Sequence, residues 1–161
     1  MTELVLAVDG ASSEGFCGAG VVLYNKDQGI RLGHESVLGG ESIEGDNFYA
    51  ETHAIVEGCK WLDRRLDYMV GETRVTIVTD SATVVKLING KAKSKNSWVN
   101  AYIQEIKDEM AEIKARKVDL HVKYIPRKYL YEANYLAQSA AKDQLRRNTE
   151  AEYPFLKKGG V

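Results

Sequence analysis

The sequence predicts a mixed α/β fold: one five-stranded mixed sheet, part antiparallel and part parallel, with helices on both faces. Three observations predict it. Three strand-like runs follow one another over residues 4–38 with only short turn-forming links, the mark of an antiparallel meander. From Asn47 the apolar spacing changes from the two-residue period of a strand to the period of about 3.6 of a helix. Beyond Arg65, short β-branched or alternating runs are interleaved with helical ones, which requires parallel strands joined by crossovers. The order is β-β-β-α-β-α-α-β-α.

Leu4-Val5-Leu6-Ala7-Val8 is continuously apolar and stops at Asp9-Gly10, the pattern of a strand buried on both faces. Residues 18–24 form a second strand, stopped by Asn25-Lys26-Asp27-Gln28-Gly29. Residues 31–38 form a third, followed by a loop at Gly39-Gly40-Glu41. A helix over residues 47–65 then carries Phe48, Ala54, Ile55, Trp61 and Leu62 on one stripe, with Asp46 as its N-cap. Residues 75–79 are a short strand ending at Asp80. Ser81 caps a short helix that runs through Ile88 and ends at Asn89-Gly90. Ser97 caps a longer one whose stripe is Trp98, Tyr102, Ile103, Ile106, Met110 and Ile113. Val118, Leu120, Val122 and Tyr124 alternate with Asp119, His121 and Lys123, a half-exposed strand closed by Pro126. Ala133, Leu136, Ala137, Ala140 and Leu145 mark the last helix. Residues 1–149 read as one domain, and residues 150–161, with Pro154 and Gly159-Gly160, as a loosely ordered tail.

Composition narrows the function. The chain has 161 residues, enough for one domain with its own core. Hydrophobic residues are 44% and charged ones 28%, the balance of a folded globule rather than a disordered chain. No stretch approaches the ~20 apolar residues of a membrane helix, so no membrane partner is expected. Met1-Thr2-Glu3 lacks the basic segment of a secretory signal, and a cytoplasmic location is expected. Two cysteines, Cys17 and Cys59, are too few for a disulfide scaffold or a thiolate zinc site and read as small core residues with no disulfide partner. The net charge of −1 conceals an asymmetry. Residues 1–85 hold 6 basic and 14 acidic side chains, and residues 86–161 hold 16 basic and 9 acidic ones. An acidic half suits cations, and a basic half suits a polyanion.

Three acids stand where acids are expensive. Asp9 and Asp80 close apolar strands, and Glu51 falls on the inner stripe of its helix, one turn from Asn47 and from Ile55. Singly each reads as a turn or capping residue. Jointly they suggest a divalent-cation site, because Mg²⁺ prefers a few carboxylate oxygens together with water and phosphate.

The segments Val8-Asp9-Gly10-Ala11-Ser12, Asn47-Phe48-Tyr49-Ala50-Glu51-Thr52-His53-Ala54 and Ile77-Val78-Thr79-Asp80-Ser81 resemble, in order and placement, the first three motifs of the type 1 ribonuclease H family. The resemblance covers about residues 3–146. It implies a ribonuclease H-like fold that hydrolyses the RNA strand of RNA–DNA hybrids, or acts on another RNA-containing duplex. It further implies two Mg²⁺ ions, with Mn²⁺ as substitute, held by four residues: Asp9 bridging both ions, Glu51 and Asp80 completing one shell, and a fourth acid holding the other. Two ions roughly 3.5–4 Å apart activate a water and stabilise both oxygens at one phosphorus. The family's proofreading-exonuclease cousins are disfavoured, since Ala11 stands where they carry a second acid.

The fourth motif departs from the family. Ile125-Pro126-Arg127 followed by Ala133-Asn134-Tyr135-Leu136-Ala137 resembles the final strand, short loop and helix, yet Leu130 and Asn134 stand where Asn and Asp are usual. Lys128 and Tyr129 occupy the place of the family's histidine-bearing loop. Asn134 offers a metal one neutral oxygen and no charge. Glu132 lies about 200° round the helix and Asp143 about 13 Å along it, so neither replaces the missing acid. The expectation is a weakly held second ion and low activity. The alternative is a silent nucleic-acid-binding domain of the same fold, and a purely structural module is the weakest reading.

The resemblance also places Gly10, Ala11, Ser12 and Asn47 where RNA 2′-hydroxyls are read, a shape-and-sugar readout. Ser81 beside Asp80 joins this set. Lys91, Lys93 and Lys95 with Asn96 form the densest basic cluster, at a helix junction suited to phosphates. His34, His53 and His121 read as surface residues rather than catalytic bases. Gly15, Gly18 and Gly20 read as turn and packing glycines, because no helix N-terminus follows them.

Overall fold

The computed structural model describes residues 1–41, 47–69 and 71–156. Its elements are β1 (Thr2–Ser13), β2 (Phe16–Asn25), β3 (Ile30–Glu41), α1 (Asn47–Leu66), β4 (Thr73–Thr79), α2 (Ala82–Ile88), α3 (Ser97–Lys114), β5 (Asp119–Tyr124) and α4 (Tyr131–Glu152). The strands form one sheet in the order β3-β2-β1-β4-β5. β1, β2 and β3 pair antiparallel, and β4 pairs parallel with β1 and β5, so the mixed sheet expected from the sequence is found. Among the described residues, no helix is long and apolar enough to cross a membrane.

The strand period sorts β1 between two cores. Leu4, Leu6 and Val8 point to one face, where Ala54, Ile55, Trp61 and Leu62 of α1 and Ile103 and Ile106 of α3 cover them. Ala7 points to the other face, with Val22, Val78, Leu130 and Ala133. Helices therefore lie on both faces. On the second face, α4 meets β2 through alanines at Ala133, Ala137, Ala140 and Ala141. A methyl group built on Gly20 would stand 1.9 Å from the Ala133 carbonyl oxygen, and one on Gly18 2.3 Å from the Ala141 nitrogen. These are packing glycines, and they let the helix backbone rest directly on the strand.

Several boundaries move. β1 continues past Asp9-Gly10 to Ser13, because its far end pairs with β2 through a two-residue turn at Glu14-Gly15, both with positive φ. Gly39-Gly40-Glu41 belongs to β3 rather than to a loop: Cys17 pairs with Gly40 and Gly18 with Leu38, leaving Gly39 as the extra residue of a bulge. Asn96, not Ser97, caps α3, its Oδ1 accepting from Trp98 N at 2.9 Å and Val99 N at 3.3 Å. The α3 stripe is buried from Ile103 onward, whereas Trp98 in the first turn is half exposed. Tyr124 is half exposed too: it shares the face of the buried Leu120 and Val122 but stands at the last position of the edge strand β5. α4 runs three residues past position 149 to Glu152, and a 3₁₀ turn follows at Pro154–Leu156. Asp46 lies outside the described residues.

Candidate active site

β1 pairs with β4 only as far as Ala7↔Val78, and β4 ends at Thr79. Beyond that point β1 continues in its hairpin with β2, so the side facing β4 opens into a pocket. Asp9 is the second residue past the ladder, and Asp80 is the first past β4. α1 closes a third side. Its Ala50 carbonyl oxygen would lie 2.0 Å from a methyl group on Gly10, so only glycine lets helix and strand approach this closely. The result is a cavity of about 270 Å³ lined by Asp9, Ser12, Asn47, Glu51, Asp80 and Arg127 among others.

Asp9 is only 4% exposed. Its Oδ1 accepts from Gly10 N at 3.1 Å, and its Oδ2 accepts from Asn134 Nδ2 at 2.8 Å. Asn134 is aligned in turn by Gln138, whose Nε2 donates to the Asn134 Oδ1 at 2.9 Å. Two amides and a carboxylate thus run in a chain, every hydrogen bond pointing toward Asp9. Register explains the contact: Asp9 pairs with Gly20, and Gly20 is where the first turns of α4 touch the sheet. Burial pushes the Asp9 carboxyl up to about 6, against the pull of the Asn134 amide, and the neighbouring Asp80 pushes it further. Arg127 is the nearby cation, its Nε 3.9 Å from Asp80 Oδ2.

Asp9, Gly10, Ala11, Ser12, Asn47, Glu51 and Asp80 line this one pocket, and Asn134 donates to Asp9 from α4. Ser12 Oγ donates to Asn47 Oδ1 at 3.2 Å, joining two of the residues assigned to sugar contacts. Ser81 is buried as the N-cap of α2, its Oγ accepting from Val84 N at 3.4 Å. The lysine cluster disperses. Lys91 lines a groove along β5, Lys93 lines a depression between α2 and α3, and the Asn96 oxygen is committed to its cap. Glu132 and Asp143 are engaged elsewhere, by Arg31 and by Arg146 and Arg147. Among the described residues, no three His, Cys, Asp or Glu groups are gathered tightly enough to hold a metal as they stand.

Five residues of the pocket carry no role in the sequence reading: Gln138, Lys142, Arg127, Ser13 and Ala141. Gln138 and Lys142 follow Asn134 at i+4 and i+8, which puts them on the same stripe of α4. Arg127 sits in the turn directly after β5. Helical spacing from Asn134 identifies the first two; nothing local identifies Arg127. His34 and His121 lie exposed, and His121 Nε2 meets Asp119 Oδ1 at 2.7 Å. His53 is half-buried rather than on the surface. It stacks on Tyr49 at 5.7 Å between ring centroids, and burial lowers its pKa. Burial also pushes the Cys59 thiol up to about 12, which leaves it unreactive.

Comparison with known proteins gives a consistent result. The family model RNase H matches residues 1–146. LC11-RNase H1, isolated from compost by a metagenomic approach, is similar at 25% identity over 90% of this chain and 99% of its own, with a TM-score of 0.74. Its structure in complex with an RNA/DNA hybrid aligns at 24% identity over 88% of this chain and 99% of that one, with a TM-score of 0.72. The N-terminal RNase H domain of a Mycobacterium tuberculosis protein, fused to maltose-binding protein, aligns at 21% identity over 92% and 99%, with a TM-score of 0.72. No curated protein matches the chain in sequence.

Proposed function

The chain belongs to the RNase H family, and from that premise we propose that it is a divalent-metal-dependent endonuclease that hydrolyses the RNA strand of RNA–DNA hybrids. The observation that carries this reading is Asp9, a carboxylate buried beside Asp80 in a pocket that Glu51 also lines. An acid raised toward neutrality by burial and by a like charge is one that a bound cation would relieve. Carboxylate and amide oxygens are the donors a hard cation prefers, so the residue types fit Mg²⁺ or Mn²⁺. A pair of such ions, when bound, supplies an activated water and neutralises charge at the reacting phosphorus.

The chain's own residues supply the rest. Asp9 and Asp80 present their carboxylates from neighbouring strand ends, and Glu51 must close onto them from α1 for three acids to share a cation. Asn134 presents an N–H₂ group to Asp9, so it can offer its oxygen to a cation only after the amide turns over and breaks the Gln138 hydrogen bond. Arg127 draws a phosphate toward the Asp80 side. Ser12 and Asn47, already paired, accept and donate to ribose 2′-hydroxyls next to Gly10 and Ala11, while Lys91, Lys93, Lys95 and Asn96 meet phosphates farther along the duplex. The reading includes residues 1–149 as the nuclease domain and a cytoplasmic setting, where Cys17 and Cys59 remain thiols.

The amide at Asn134 favours a second reading, a hybrid-binding domain with little or no catalysis. One experiment separates the two: a labelled hybrid incubated with the protein in Mg²⁺, in Mn²⁺ and in EDTA, with binding followed in parallel. Cleavage in both metals and none in EDTA is the expected result. Hybrid bound but uncut in both metals would establish the silent reading instead.

A further inference from the structure

A groove of about 770 Å³ runs between α3 and the outer edge of β5, nearly three times the volume of the acidic pocket and sharing no lining residue with it. Among the described residues β5 has a single neighbour in the sheet, β4, so its other edge carries backbone groups without a ladder partner, of which the Val122 carbonyl already accepts from Asn89 Nδ2 at 3.5 Å. The floor is apolar, with Met110 of α3 and Leu120 and Val122 of β5. Lys91, Lys107, Lys114 and Lys123 stand round it, all exposed, and none enters an ion pair among the described residues. Asp119 is the one acid in the lining, and it is already held by Arg74 at 2.8 Å and His121 at 2.7 Å.

We propose that this groove docks an acidic, extended peptide segment of a partner protein, which adds a sixth strand to the β5 edge. Guarding an edge against aggregation needs charge on the strand itself, which Lys123 supplies. Lys107 and Lys114 come from α3 and converge on the strand from outside it, so edge protection does not account for them. Their unpaired charge selects an anionic occupant, and the apolar floor selects one with alternate apolar side chains. An extended peptide offers both at the two-residue period, with main-chain groups for the edge. A nucleic acid fits less well: the lining holds no Tyr, Trp or Phe to stack a base and no Arg fork to grip a phosphate.

The test uses a fluorescent peptide of alternating Asp and Val, titrated into the full chain and followed by anisotropy. Saturable binding is expected, weakened roughly tenfold or more by the double variant Lys107→Glu with Lys114→Glu. N-methylation of alternate peptide amides should weaken it comparably, because it removes ladder hydrogen bonds and leaves the charge intact. The double variant should keep its circular dichroism and its cleavage of RNA–DNA hybrid, since neither lysine belongs to the acidic pocket or the proposed hybrid contacts. No peptide binding, or binding that ignores N-methylation, would overturn strand addition at β5. Loss of hybrid or single-stranded DNA binding in the double variant would give the lysines to nucleic acid and overturn the proposal equally.

Discussion

At the centre of the sheet Asp9 is 4% exposed and both of its oxygens accept hydrogen bonds, whereas at the outer edge four exposed lysines surround β5 without an ion partner among the described residues. The two regions lie two strands apart in one sheet, on either side of β4, and treat charge oppositely. A buried carboxylate loses hydration and is tolerated only where packing leaves it no exit and neighbours supply donors. Exposed ammonium groups keep their water and cost the fold almost nothing. The central acid is therefore fixed by the fold before any ligand arrives, and the edge lysines are fixed only by what they meet.

Substitutions can break or sharpen that contrast. The largest effect belongs to Asp9→Asn, which should reduce hybrid cleavage to background while leaving the chain folded. It should also stabilise the metal-free protein. The Asp9 carboxyl titrates at about 6 in the fold against an ordinary 3.8, so the folded state holds its proton more tightly than the unfolded one. Metal-free stability is then highest below pH about 4 and falls as pH rises to about 6. Denaturant melts should show the variant ahead by about 3 kcal/mol at pH 7 and level with the parent below pH 4. A constant difference at every pH would mean that Asp9 is not the group responsible.

Gly10→Ala attacks the same region through packing rather than charge. Its methyl would meet the Ala50 carbonyl at 2.0 Å, so α1 must retreat from β1, at a cost of about 2–3 kcal/mol in thermal or urea denaturation. Cleavage should fall further than stability accounts for, because Glu51 retreats with the helix. Unchanged melting would show that the approach of α1 to β1 is looser than described.

Asn134→Asp should raise cleavage and reduce the metal needed for half-maximal rate roughly tenfold, more in Mg²⁺ than in Mn²⁺. The variant replaces a donor aimed at Asp9 by a second charge, so metal-free stability should drop. Superimposable metal titrations would show that charge at position 134 does not limit the site.

The smallest effect lies outside the pocket. Replacing Lys91, Lys93 and Lys95 by Ala should lower the log–log salt slope of hybrid binding by roughly 0.7–0.9 for each lysine that touches phosphate. Metal affinity should not move. Lys91 alone lines the β5 groove, so the single variants should divide unequally, with Lys91→Ala lowering the slope least. An unchanged slope in the triple variant would place the hybrid on another surface.

The amino-acid sequence by itself determined the elements and their order, because hydrophobic period is a local property: Leu4-Val5-Leu6-Ala7-Val8 reads as a doubly buried strand and is one. It also marked Asp9, Glu51 and Asp80, since an acid that interrupts an apolar pattern is visible in one dimension, and the ordered motifs named the family. Tertiary structure alone decided the rest. The fourth motif puts Asn134 at the site, but that its amide donates to Asp9, 125 residues away, follows from Gly20 letting α4 rest on β2, a contact no local pattern contains. The same holds for the direction of the amide, set by Gln138, and for Arg127 beside Asp80. Lys91 and Lys93, which belong to one cluster in sequence, line two different depressions, because the chain turns between α2 and α3. Periodicity reports which face a residue takes within its own element; which residues meet across elements depends on register and on how closely two backbones can approach, and here glycines set that approach.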